Sequence, residues 1–477
     1  MAKVFISFLG TTPYSKVTYV YNKGQKSNTK TQTRFVQVAL VNSICRSWDK
    51  NDRIIIFRTE KSNELNWKDK KDKDGNNVIG LKTELLSLLS KNNKGICLNN
   101  GEEHDDKKYI VPTGFNEDDL WQIFGKVYDN VNEGDEIYFD VTHAFRTIPL
   151  FTTVLFNYCR FMKNSVVKSI HYGAYENIFT LKELNKMTDE EKEKLEVPLV
   201  DLTNVVLLQS VNDSVSNFRQ FGSFGSLVDV LDTDLDKQDE LGQVDVSEAI
   251  NDIQVSLEDL NFYIMTSNLI ELKKGRYMTT IMNAVDQIGN SSIPKPQKEL
   301  LHEIARELTD FGFRKNNSYL NIEAAIKWLI VKNQLQQAVT LASEYIQETY
   351  LKLYEFNNFK VGEAENENKN CMSYILSAKK RETNRYENPY VFVTDKWKDK
   401  IKLKGFIPQE VLDFINIEGV GSIHGSYDEL RILRNQLNHA GEGKKYETMY
   451  DLKDHFSKIW DSCYESLEQI DKNELWE

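Results

Sequence analysis

The chain has 477 residues, 40% hydrophobic, 28% charged and 11% aromatic. That suits two or three domains, each with its own core, and excludes a collagen-like, low-complexity or wholly disordered polypeptide. The formal net charge of -12, from 72 acidic and 60 basic residues, argues against a broad basic face for sequence-blind duplex binding, yet leaves room for a small nucleic-acid cleft.

No apolar run nears the ~20 residues that cross a bilayer. The five cysteines (Cys45, Cys97, Cys159, Cys371, Cys463) are far apart and never form C-x-x-C, as expected for reduced thiols in a cytoplasmic protein. The apolar start, Val4 to Leu9, is too short for a signal-peptide core and is followed by Gly10 and Pro13. Lys3–Leu9 therefore reads as a first β-strand. A helical pattern follows over Thr33–Trp48, then a strand buried on both faces at Arg53–Arg58. Further along come a helix at Leu81–Ser90, a strand at Tyr109–Pro112 and a helix at Glu117–Val131. Glu136–Val141 reads as a strand and Pro149–Met162 as a helix. Val166–Tyr175 and Leu199–Leu208 read as strands flanking the charged segment Lys182–Glu196. This alternation predicts an α/β, Rossmann-like N-terminal domain with a mostly parallel sheet, whose ligand lies beyond the carboxyl ends of the strands.

Two strand exits carry unusual chemistry. Gly10-Thr11-Thr12 follows the first strand, and Asp140-Val141-Thr142-His143-Ala144-Phe145-Arg146-Thr147 follows the fourth, just ahead of Pro149. Hydroxyls, backbone amides, an imidazole and a guanidinium near a helix N-terminus suit a phosphate-bearing ligand. A Gly-Thr-Thr turn alone is also an ordinary strand exit, and His143 alone an ordinary loop histidine. Neither G-x-G-x-x-G nor a P-loop is present, so the usual dinucleotide and NTP sites have no support.

From about Asn212 the pattern is helical, over Val246–Lys273, Tyr277–Ile288, Pro296–Asp310, Leu320–Lys332 and Leu335–Tyr354, with acidic linkers at Asp232–Asp245 and Gly362–Asn370. The informative segment is Tyr427–Gly441, YDELRILRNQLNHAG. Leu430, Leu433, Leu437 and Ala440 make an apolar stripe that ends at Gly441. Arg434 and Asn438 stand four apart, as do Asn435 and His439, which puts two polar columns side by side. An arginine can offset charge developing on a phosphate, and a histidine can move a proton near neutral pH. With two amides to orient them, that kit suffices for cutting RNA through its own 2′-hydroxyl without a metal. The bland alternative is a solvated helix face. The remaining histidines show no ligand spacing, so no metal site is expected. Lys396–Lys404 is a basic stretch that reads better as a solvated face, and Glu344, Tyr345 and Glu348 lie on a helix that could border the Arg434 site.

FDVTHAFRTIP (Phe139–Pro149), with FLGTT at the first strand exit, resembles the D-x-T-H-G signature of CRISPR-associated Rossmann-fold (CARF) sensor domains. RNQLNH (Arg434–His439) resembles the R-x4-6-H motif of HEPN ribonucleases. The order CARF then HEPN is similar to the ancillary ribonucleases of type III CRISPR systems. The resemblance implies a CARF sensor over 1–205, a helical connector over 206–300 and an all-α HEPN domain over 301–477. It implies a homodimer, or a higher assembly of dimers, activated by a cyclic oligoadenylate, the tetra-adenylate favoured over the hexa-adenylate, and cutting single-stranded RNA to a 2′,3′-cyclic phosphate. Gly10, Thr11, Thr12, Asp140, Thr142, His143, Ala144 and Arg146 would then line the activator site, and Arg434, Asn435, Asn438 and His439 a composite catalytic site. Ala144 departs from the signature, which has glycine there. Two other readings stay open: a non-catalytic nucleotide-sensing regulator, and a HEPN ribonuclease that no nucleotide gates.

Overall fold

A computed structural model describes residues 2–23, 27–71, 75–92, 95–99, 106–143, 148–174, 186–231, 244–356, 372–373, 375–376, 379–380, 390–391, 414–415, 417, 420–438 and 446–476. The chain divides into two units, Met1–Leu207 and Leu208–Glu477.

The first unit is a sheet with helices on both faces. Its strands are β1 (Lys3–Leu9), β2 (Val17–Lys23), β3 (Ser27–Thr33), β4 (Arg53–Arg58), β7 (Cys97–Leu98), β8 (Glu136–Asp140), β9 (Val166–Gly173) and β10 (Glu196–Asp201), while β5 (Lys70–Lys71) and β6 (Asn77–Val78) form a separate small hairpin. The eight strands lie in the order β3-β2-β10-β9-β8-β1-β4-β7. From β9 through β8, β1 and β4 to β7 every pairing is parallel; β10 runs antiparallel to β9, and β3 to β2. Continuous apolar runs mark β1 and β4 as interior strands, because their residues are buried on both faces. Phe5, Leu9, Ile54 and Ile56 enter one core with the helices Val36–Ile44 and Leu81–Asn92. Val4, Ile6, Phe8, Ile55 and Phe57 enter the other with Glu117–Asp129 and Ile148–Lys163. Register sets Ser7 of β1 opposite Asp140 of β8, the first link between the two strand exits.

Three sequence expectations need correction here. Tyr109–Pro112 is not a strand: Asp106–Tyr109 is a 3-10 turn, and only Ile110 makes a single bridge, to Arg58. The outer parallel strand is instead the two-residue β7. Leu199–Leu208 splits into the end of β10 and the start of a helix, Thr203–Phe221. Asp201 Oδ1 accepts from the Thr203 amide at 2.8 Å, a turn that stops the strand and opens the helix. The helix expected over Thr33–Trp48 is shorter, Val36–Ile44 plus a 3-10 turn, because Thr33 closes β3. The β2–β3 hairpin has no counterpart in the hydrophobic pattern, since Ser27–Thr33 (SNTKTQT) is a polar edge strand without apolar alternation.

The second unit is helical. Its main helices are Val244–Met265, Arg276–Gly289, Lys295–Asp310, Leu320–Val331, Leu335–Phe356, Val420–Asn438 and Met449–Glu468, and one core runs from Val211 to Trp476. A two-residue antiparallel pair, Lys379–Lys380 with Tyr390–Val391, accompanies them. The single helix expected over Val246–Lys273 is broken after Met265: Ser267 has φ 51°, and Asn268 caps a new short helix, Leu269–Lys274, by accepting from the Glu271 amide. The chain end is tied down by a buried ion pair, Lys472 to Glu323 at 2.7 Å. Tyr345 and Tyr464 also donate to this carboxylate, at 2.7 and 3.1 Å. Among the described residues no helix is long and apolar enough to cross a membrane.

Candidate functional site

Each unit carries one of the clusters found in the sequence. In the first unit the β1 and β8 exits meet because their strands are neighbours. Asp140 is fully buried and its oxygens are committed: Ser7 Oγ donates to Oδ2 at 2.7 Å, and Thr142 donates its amide and hydroxyl to Oδ1 at 2.9 and 2.6 Å. Burial pushes this carboxyl above its usual range, partly offset by those hydrogen bonds. Thr142 Oγ1 in turn accepts from the Gly173 amide of β9 at 2.8 Å. Gln37 donates to Ser7 Oγ and to the Phe8 carbonyl, both at 3.2 Å. A polar brace thus joins β1, β8, β9 and the first helix just under the strand ends, and Asp140 acts within it on Thr142 and Ser7.

Above this brace lies His143. Its ring is 4.6 Å from that of Tyr14 between centroids, and Tyr14 stands edge-on to Phe35 at 5.5 Å. Nε2 of His143 is enclosed and has no hydrogen-bond partner among the described residues. Burial pushes the imidazole down to about 4, so it is neutral at physiological pH. Gly10 sits against both rings: a Cβ there would lie 2.6 Å from the Tyr14 hydroxyl and 3.4 Å from His143 Cβ. Only glycine fits such a close approach without moving Tyr14. Thr11 is partly exposed and Thr12 exposed. The structure therefore brings together Gly10, Thr11, Thr12, Asp140, Thr142 and His143, and presents hydroxyls, backbone and a neutral imidazole. Ala144 and Arg146 lie outside the described residues.

In the second unit, Val420–Asn438 buries Leu430 and Leu433 and turns Arg434 toward the neighbouring helix Leu335–Phe356. Arg434 Nη1 donates to Ser343 Oγ at 3.2 Å and to Glu344 Oε1 at 3.3 Å, while its side chain stays 24% exposed. One turn on, Asn438 Oδ1 accepts from Gln336 Nε2 at 3.3 Å. One polar column thus faces Gln336 and, seven and eight residues further along the adjacent helix, Ser343 and Glu344. Tyr427 lies buried beside Arg434, donates to Ser373 Oγ at 3.0 Å, and has its phenol pushed up to about 12 by burial. Asn435 is partly exposed. Of the bordering residues expected, Glu344 meets Arg434. Tyr345 points instead to Glu323, and Glu348 lies 3.8 Å from Lys352. His439 and Lys396–Lys404 lie outside the described residues. Among the described residues no three His, Cys, Asp or Glu side chains cluster as a metal site would need.

Ser7, Tyr14, Gln37 and Asn66 in the first unit, and Gln336 and Ser343 in the second, also border these sites. Ser7 had a signal, being the one polar residue inside the apolar run of β1 after Lys3. The others have none, because only the packing of separate elements brings them to the sites.

Residues 4–176 match the family described as CRISPR system endoribonuclease Csx1, CARF domain. This segment is a CARF domain. The CARF domain therefore contains the whole brace and the Gly10–His143 cluster. CRISPR-associated protein MJ1674 of Methanocaldococcus jannaschii is 26% identical to this chain over 223 residues, 45% of this chain and 30% of the relative, so the match spans under a third of that relative's length. A solved structure of Enterococcus italicus Csm6 bound to cyclic hexa-2'-fluoro-hexa-dAMP aligns over 100% of this chain and 97% of its own, with a TM-score of 0.40 and 12% identity.

Proposed function

We propose that this chain is an ancillary endoribonuclease of type III CRISPR defence, switched on by a cyclic oligoadenylate and cutting single-stranded RNA without a metal. The reading is supported above all by one observation: a Csx1-type CARF domain precedes a helical unit whose Arg434 stays partly exposed on a polar helix column. The domain roles follow from it, a sensor over 1–205, a connector over 206–300 and a HEPN effector over 301–477. In the sensor, Gly10, Thr11, Thr12, Thr142 and His143 meet the activator, with Ala144 and Arg146 beside them. Asp140 holds Thr142 in place from beneath.

In the effector, Arg434 faces the non-bridging oxygens of the scissile phosphate and offsets the charge that builds there. His439 moves the proton, and Asn435 and Asn438 orient the pair. The 2′-oxygen forms its bond to phosphorus as the bond to the 5′-oxygen breaks. The 2′-hydroxyl proton leaves and a proton reaches the 5′-oxygen, giving a 2′,3′-cyclic phosphate and a 5′-hydroxyl. Two copies of the chain complete the site as a homodimer, or within a larger assembly of dimers.

The test is RNA cleavage by purified protein in EDTA, with cyclic tetra-adenylate, cyclic hexa-adenylate or no ring. Cleavage is expected only with a ring, more strongly with the tetra-adenylate, and Arg434→Ala and His439→Ala should each abolish it. Full activity in either variant would overturn the catalytic assignment; ring-independent cleavage would overturn the gating.

A further inference from the structure

The Gly10–Thr12 loop is gripped by a single side chain from a third strand exit. Asn66, 2% exposed, donates Nδ2 to the Gly10 carbonyl at 2.9 Å and to the Thr12 carbonyl at 3.1 Å, spending both amide hydrogens on this loop. The described peptide bonds are all trans. In a planar trans peptide the N–H points opposite to the C=O. Turning the Gly10 carbonyl toward Asn66 therefore turns the Thr11 amide away from it. The second inward carbonyl, that of Thr12, precedes Pro13, which has no N–H to misdirect.

Asn66 is well anchored for this task. It lies in a π-helical turn, Asn63–Trp67, closed by the Lys68 amide donating to the Asn63 carbonyl at 3.3 Å. Such turns recur at functional positions. Trp67 is buried under the Arg58 guanidinium, 4.4 Å from its ring centroid, and Arg58 Nε donates to Asn63 Oδ1 at 2.8 Å. Arg58 ends β4, which pairs directly with β1. A short helix, Glu60–Ser62, leads into the π-helical turn from Thr59, whose cap with Ser62 is reciprocal. The end of β4 thus fixes the exit loop of its neighbour β1 through one amide.

We infer that Asn66 is a positioning residue of the activator site: it holds the Gly10 and Thr12 carbonyls inward so that the Thr11 amide faces the ring's phosphate. The inference rests on the activator reading given above. The test is isothermal titration of the full chain with cyclic tetra- and hexa-adenylate, comparing wild type, Asn66→Asp and Asn66→Ser. Aspartate is nearly isosteric but sets acceptors against two carbonyls, and serine is too short to reach both and adds no charge. Both variants should bind roughly tenfold more weakly, about the worth of one hydrogen bond, with unchanged stoichiometry. A merely structural role would lower the stoichiometry, by reducing the folded fraction, and leave the dissociation constant unchanged. Should the aspartate variant fail to fold, the serine variant decides alone. Wild-type binding with serine-variant affinity within twofold would overturn the role of Asn66 alone. No binding of either ring by the wild type would overturn the activator reading and this inference with it.

Discussion

Acidification tests the packing around His143 directly. The imidazole is enclosed beside Tyr14 and Gly10, and burial holds it down to about 4, against ~6.5 for an unfolded histidine. The folded value is the depressed one, so the stability this group contributes is complete above the unfolded value and is lost as pH falls toward the folded one. The two values give a loss of about 0.2 kcal/mol at pH 7 and about 2.6 kcal/mol at pH 4.5, a difference of ~2.4 kcal/mol. That figure is a ceiling, because Nε2 is enclosed while the residue as a whole is partly exposed. His143→Phe keeps an aromatic ring beside Tyr14 and removes the titration. Urea unfolding of both proteins at the two pH values, with hydrogen exchange of β1 and β8 peptides to locate the opening, measures the effect. The variant's stability relative to wild type should rise by about 1 to 2.4 kcal/mol on going to pH 4.5. Asp140, whose carboxyl is shifted upward, gains stability on acidification, but in both proteins alike, so it cancels in the comparison. A change below about 0.5 kcal/mol would refute the burial of a neutral His143.

Gly10→Ala would place a methyl 2.6 Å from the Tyr14 hydroxyl, so Tyr14 must swing off His143. The expected cost is about 1–3 kcal/mol in thermal unfolding, with weaker activator binding in titration. Lys472→Met would strand the Glu323 carboxylate in the second unit with, among the described residues, Tyr345 and Tyr464 as its remaining donors. It should cost about 3–5 kcal/mol by denaturant unfolding, and the double variant with Glu323→Met should recover most of that loss.

The interior strands β1 and β4, the helices around them and the helical second half were written in local patterns, because burial on two faces or along one stripe imposes its own residue period. Lys3–Leu9 and Arg53–Arg58 are continuous apolar runs, and Leu430, Leu433 and Leu437 recur at helical spacing, so each is legible without its neighbours. The polar clusters at Gly10–Thr12, Asp140–His143 and Arg434–Asn438 were legible for the same reason: they interrupt or ride on those patterns. What depends on distant residues was not. The polar edge strand Ser27–Thr33 has no period to betray it, and its pairing with β2 appears only in the sheet. Whether Asp140 faces a ligand or a buried serine was decided by register, which set it opposite Ser7. Asn66 reaches back across 54 and 56 residues to the loop it holds, and Glu344 across 90 to Arg434. A side chain's partners are set by how elements pack, and no local pattern encodes that. The chemistry present at each site belonged to the sequence, and the tertiary structure alone decided which groups are committed to one another and which stay open to a ligand.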